Sequence, residues 1–134
     1  MCNITLRLSV VQAIIVCAGF VAENVTIDVA IPTQSDPVPV MSVFGWIIIN
    51  QHIGYTFDWN LPWADYKAGF GSIDADVWLG LERMHLLTSS RPYRLRIEVQ
   101  LRSTNLWYIA EYWSFKTLIS TGLSLDLNPR QDAF

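Results

Sequence analysis

Between Trp63 and Thr88 the chain places two Trp, one Tyr, one Phe and three Gly around two short stretches of helical periodicity. Residues 63–70 read as a brief helix. Pro62 suits a first turn, Tyr66 and Phe70 stand four apart on one face, and Gly69 and Gly71 end the pattern. A second helix follows, with an apolar face running through Trp78, Leu81, Met84 or His85, and Thr88. Asp74 or Asp76 is expected to cap it, and the run Ser89, Ser90, Arg91 and Pro92 stops it.

Strand signals flank this block. Residues 43–49 are apolar and largely β-branched apart from Gly45, the composition of a strand covered on both faces. Residues 93–101 give the clearest alternation present. Tyr93, Leu95, Ile97, Val99 and Leu101 share one face, while Arg94, Arg96, Glu98 and Gln100 share the other, which predicts an antiparallel strand with one wet side. Residues 103–105 turn the chain into a second strand over 106–115, a third short strand is expected over 123–127, and 128–134 form a polar end.

The residues of the central block fit a known pattern. Trp63, Tyr66, Lys67, Gly69, Phe70 and Gly71 match W-x-x-Y-K-x-G-F-G. Val77, Trp78, Leu79, Gly80 and Leu81 match V-W-L-G-L, and Leu87 with Thr88 supplies the L-T that follows a short helix. Gly45 and Trp46 open a G-W strand upstream. Residues 93–99 and 110–115 supply Y-x-L-R-I-E-V and A-x-Y-x-x-F downstream. Four ordered motifs over some 70 residues make the chain resemble the fibrinogen C-terminal domain family. The resemblance implies an α+β fold, a partial domain in which an antiparallel sheet is flanked by two short helices, with Trp46, Trp63 and Trp78 in the core. It implies an extracellular recognition module for carbohydrate, acetylated groups or protein receptors, without enzymatic activity. The family's acidic calcium loop and ligand pocket follow the third strand, beyond residue 134. The chain is therefore expected to be truncated relative to the family, to carry no cofactor and no calcium site, and to offer no positions for the family's binding residues. Carbohydrate or receptor binding would require that missing region.

The N-terminus departs from the pattern. An apolar run over 8–18, preceded by Arg7, is too short to span a bilayer and reads as a secretory signal over 1–19, with secretion to the extracellular space as its consequence. Both cysteines, Cys2 and Cys17, fall inside it, so the mature chain would hold no disulfide. The family's cysteine ahead of the G-W strand is also absent. Removing 1–19 takes Arg7 and no acid, so nine basic residues become eight against twelve acidic, and the net charge moves from −3 to −4. Residues 20–42 read as a Pro-rich linker, with Pro32, Pro37 and Pro39 expected to exclude a central strand or helix interior. Asn24, followed by Val25 and Thr26, is a glycosylation sequon placed just after the signal. The remaining residues, 43–134, form the partial domain.

Little in the chain points to chemistry. Asp74 and Asp76 fall short of the six to eight oxygen ligands that calcium takes. His52 and His85 are the two imidazoles, 33 residues apart, with no cysteine to complete a zinc set. No nucleophile elbow, zinc-protease helix or phosphate-binding loop is present. Basic residues are scattered, which argues against nucleic acid, and no second apolar run is long enough to cross a membrane. Trp59, Trp107 and Trp113 have no clear family counterpart and are expected to be the more exposed rings. A sheet left without its completing segment should expose an edge, favouring self-association or a partner chain; the alternative to a recognition module is a non-binding structural fragment from a truncated or partial gene product, or a subunit completed by a partner chain.

Overall fold

The computed structural model describes residues 2–8, 11–15, 25–54, 58–101, 103–120 and 122–129. Among these, ten strands and two helices alternate along the chain in an α+β arrangement. The strands are β1 (Cys2–Leu8), β2 (Val11–Ile15), β3 (Val25–Val29), β4 (Val38–Val43), β5 (Trp46–Gln51), β6 (Phe70–Gly71), β7 (Val77–Trp78), β8 (Tyr93–Leu101), β9 (Leu106–Ser120) and β10 (Gly122–Pro129), and the helices are α1 (Trp63–Ala68) and α2 (Leu81–Ser90). Eight strands run in the order β10-β9-β8-β1-β2-β5-β4-β3, with β7 attached to β5 and β6 to β7. Pairing is antiparallel except along β1, which runs parallel to β5 and β8.

Burial follows the alternation of β8 at its Tyr93 end and departs from it beyond Leu95, where Glu98 is buried and Leu101 exposed. Tyr93 and Leu95 are almost fully buried, at 1% and 2% exposure, and pack in one cluster with Ile47, Ile49, Met84, Leu87 and Phe115. Helix α2 supplies the cover, burying Leu81, Met84, Leu87 and Thr88 at three- and four-residue steps. It is also tied to β9: the Thr117 amide donates to Thr88 Oγ1 at 3.1 Å, and His85 Nδ1 donates to the Thr117 carbonyl at 2.6 Å. His85 is thus fastened to a strand backbone.

Several expectations from sequence need correction. Residues 43–49 are not one strand. The chain reverses at Phe44 and Gly45, both at positive φ (47° and 75°), and Val43 pairs with Trp46, the backbone signature of a two-residue hairpin turn. The stretch read as linker holds β3 and β4, paired from Val25 opposite Ser42 to Val29 opposite Val38. Pro39 is accommodated within β4 opposite Asp28, and Val29, Ile31 and Val40 join the main core. Apolar residues at alternate positions outweigh the prolines there. In the segment read as a secretory signal, β1 and β2 occupy the middle of the sheet, while Cys17 and the sequon asparagine Asn24 lie outside the described residues. The second helix begins at Leu81, after Trp78 has entered β7. Trp63 opens α1 and is 56% exposed, so it is not a core ring.

Candidate functional site

The motif block folds into a small knot in which one buried carboxylate and a set of rings hold several backbone segments together. Asp76 ends the 72–76 turn, closed by Ala75 N–H to Ser72 O at 3.1 Å and Ser72 N–H to Asp76 O at 2.9 Å. Its side chain is 4% exposed. Oδ1 accepts from the amides of Ile53 and Gly54 at 2.7 and 2.9 Å, and Oδ2 accepts from His52 Nδ1 at 2.9 Å. Burial opposes the charged form, but the Gly54 and Ile53 amides and His52 outweigh it and hold the carboxyl below its usual range. Gln51 Nε2 adds a bond to the Ala75 carbonyl at 2.7 Å. Asp76 therefore does not cap α2, whose N-terminal flank Gly80 makes no side-chain cap bond. Its neighbour Asp74 is exposed, accepts from Ser72 Oγ, and is lowered mainly by that bond.

Rings fill the space beside this clasp. Trp59 meets His52 edge-on at 5.3 Å and Phe70 at 5.2 Å, and Tyr66 meets Phe70 at 5.1 Å and Trp78 at 5.9 Å. These are the edge-to-face geometries that aromatic quadrupoles favour. The polar tips are used on backbone: Tyr66 OH donates to the Trp59 carbonyl at 2.6 Å and Trp78 Nε1 donates to the Tyr66 carbonyl at 2.8 Å. Lys67 pairs with Glu82 at 3.4 Å in an exposed setting, a contact of at most about 1 kcal/mol.

The glycines of the motif have a steric explanation. Gly69 and Gly80 stand at φ 98° and 99° where two chain segments cross. A Cβ on Gly69 would lie 2.5 Å from the Leu79 carbonyl oxygen, and one on Gly80 would lie 2.6 Å from the Ala68 carbonyl. No side chain fits at either point. Leu79 is held in turn by its amide bond to Ile49 O at 2.9 Å, and Leu81 enters α2 buried. Gly71 pairs with Val77 across the β6–β7 ladder.

A second cluster lies on the other face of β8, which was expected to be wet but is half-buried, with Glu98 only 7% exposed. The Arg94 guanidinium sits between Trp113 (4.9 Å) and Trp46 (5.5 Å), and Arg96 lies 5.4 Å from the Trp46 ring. Arg96 also pairs with Glu98 at 3.0 Å and Glu111 at 3.7 Å. Trp46, expected in the core, is half-buried against Val43 and Ile48 and also faces these guanidinium groups, a ladder that sequence reasoning missed. The signal was there in the Arg94–Arg96 alternation, but the ring that would stack on it comes from a strand far away in sequence.

These arrangements fasten backbone segments to one another. Asp76 accepts from three donors, two backbone amides and His52 Nδ1. Among the described residues, no group of three His, Cys, Asp or Glu side chains could hold a metal ion, and no helix is long and apolar enough to cross a membrane.

Residues 41–121 match the family described as fibrinogen beta and gamma chains, C-terminal globular domain. The chain belongs to this family. It is 38% identical over 86 residues to human microfibril-associated glycoprotein 4, a match covering 60% of this chain and 33% of the relative. It is 40% identical over 72 residues to bovine angiopoietin-related protein 1, covering 54% and 14%, and 37% identical over 71 residues to Drosophila melanogaster Protein scabrous, covering 53% and 9%. The fibrinogen-like globe domain of human ANGPTL2 superposes with a TM-score of 0.69 at 27% identity, covering 76% of this chain and 50% of that one. The matches thus span a third or less of these curated relatives and half of the solved globe. The knot at Asp76 and the Gly69–Gly80 crossing lie inside the matched region.

Proposed function

We propose that this chain is a non-catalytic, extracellular recognition scaffold of the fibrinogen-related type. The observation that carries the reading is the motif knot, where the polar side chains Asp76, Tyr66, Trp78 and Gln51 are spent on main-chain partners. Such a block fixes the shape of a domain and leaves ligand contacts to other parts of it. A relative named as a microfibril-associated glycoprotein supports an extracellular setting, and the sequon at Asn24 supports a glycan on this chain. Binding of carbohydrate, acetylated groups or receptors is assigned to parts of the family domain other than this motif block.

The test is to express the chain in a eukaryotic secretory host, alone and fused to the second half of a complete relative's domain. Both proteins are then passed over immobilised acetylated sugars and matrix glycoproteins with and without calcium. Calcium-dependent capture of the fusion and none of the chain alone is the expected result. Capture of the chain alone would place a ligand site within these residues, and turnover of ester or glycoside substrates would remove the non-catalytic reading.

A further inference from the structure

A cavity of about 220 Å³ opens where the β3–β4–β5 end of the sheet meets the chain leaving α2. Ile27 and Val29 of β3, Ser42 of β4, Ile47 of β5 and Arg91, the residue after α2, border it. It takes no residue from the 63–88 block, so it stands apart from the function proposed above.

Ser42 is an odd choice for its position. Alternation along β4 puts it on the face of Val40, and the register sets it between Val25 and Ile47. Val29, Val40 and Ile47 belong to the main core, with Ile27 packed against it. Ser42 is 1% exposed, and among the described residues its Oγ has no hydrogen-bond partner. A buried hydroxyl without a partner opposes folding, and alanine there would serve the core better. Arg91, by contrast, is exposed. Its Nε donates to Tyr93 OH at 3.2 Å, and its guanidinium lies 5.6 Å from the Tyr93 ring. Among the described residues it forms no ion pair. Asp28 also borders the cavity, but the strand period turns its side chain to the face opposite Ile27 and Val29.

The polar side chains on the cavity are thus a hydroxyl and a cation, both able to donate, set against aliphatic walls. A carboxylate supplies the acceptor they lack, and an apolar body fills the space beside Ile27, Val29 and Ile47. A cavity of about 150 Å³ takes benzene, so this one has room for a ring and a carboxylate. We propose that it is a binding site for a small apolar monocarboxylate of the size of benzoate, with Arg91 and Ser42 holding the head group.

Benzoate, benzamide and benzamidine share one shape and carry negative, zero and positive charge. Each is titrated into the isotope-labelled full chain, with backbone amide resonances as the readout. Benzoate is expected to shift the amides of Ile27, Ser42, Ile47 and Arg91 saturably, with a Kd below about 10 mM, the weak end for a ligand of its size. Benzamide binds at least about tenfold more weakly, the scale of one charge-assisted hydrogen bond, and benzamidine leaves these resonances in place. Arg91→Gln weakens benzoate by about tenfold with the unfolding midpoint unchanged, since the residue is on the surface. Ser42→Ala also weakens benzoate but does not lower the midpoint of the free chain, because its hydroxyl has no partner to lose. Equal affinity for the three probes, no saturable shift with benzoate, or benzoate affinity untouched by the two substitutions overturns the proposal. So does a midpoint that falls in Ser42→Ala, the mark of a purely structural serine.

Discussion

Removing the Asp76 carboxylate would leave the part-buried Ile53 and Gly54 amides without their acceptor. Leaving part-buried donors without a charged acceptor costs about 1–3 kcal/mol, and Asp76→Ala is expected to lower stability by roughly that amount in urea unfolding. The pH dependence follows from the direction of its shift. The folded carboxyl titrates lower than in the unfolded chain, whose Asp value is about 3.9. Its contribution is therefore complete above that value and is lost as pH falls through the folded one. The stability gap between the parent and Asp76→Asn should be widest above about pH 5 and narrow in acid. A gap that stays constant down to pH 2.5 would contradict the role. Phe44 gives the opposite case. It holds φ 47° with 67% of its surface exposed, so its ring contributes little packing while its backbone is strained. Phe44→Asn, a residue suited to this turn, should stabilise by about 1 kcal/mol and raise the melting temperature by a few degrees.

Elements differ in how much of them could be read in advance, and the reason is physical. β8 was legible as a strand because its residues alternate between apolar and polar, but its polar face is not wet: stacked rings and paired carboxylates half-bury Arg94 and Arg96 and bury Glu98. α2 was legible along its buried stripe but not at its start: Trp78 continues the helical spacing, yet Leu79 is captured by Ile49 of β5, a partner 30 residues away. Asp76 looked like a helix cap for the same reason, since its partners at 52–54 are distant in sequence. The β3–β4 hairpin was hidden by its prolines. Trp63 and Leu87 offer a test of how motif membership relates to packing. Leu87 is 1% exposed on the α2 face, whereas Trp63 is 56% exposed. Leu87→Ala should cost about 2–5 kcal/mol, and Trp63→Ala no more than about 1 kcal/mol despite its place in the motif. Comparable losses from the two would mean that the Trp63 ring is buried in the folded protein.

At the scale of the whole molecule, helix and sheet do not match in length. α2 has 10 residues and β8 has 9, so the helix spans about 15 Å while the strand runs about 30 Å. The helix covers the Tyr93 end, where Leu95 and Phe115 are buried. The apolar period of β8 continues past the end of this cover, to Leu101 at 45% exposure opposite Leu106 at 56%. Tyr108 on the same face is 55% exposed, and Trp107 and Ile109 on the other face are 43% and 54% exposed. The β8–β9 tip is thus apolar on both faces and projects beyond the core. Contiguous exposed apolar surface of this kind drives association between copies, and a hairpin exposed on both faces buries it readily against another. The isolated chain is expected to self-associate in the micromolar range, with sedimentation coefficients that rise with concentration. Replacing Leu106 and Tyr108 with Thr keeps β-propensity and removes apolar area that the core does not use. The double variant should therefore sediment as a monomer at concentrations where the parent associates, with an unchanged unfolding midpoint. A lowered midpoint would mean that the tip packs onto the domain, and unchanged association would place the sticky surface elsewhere.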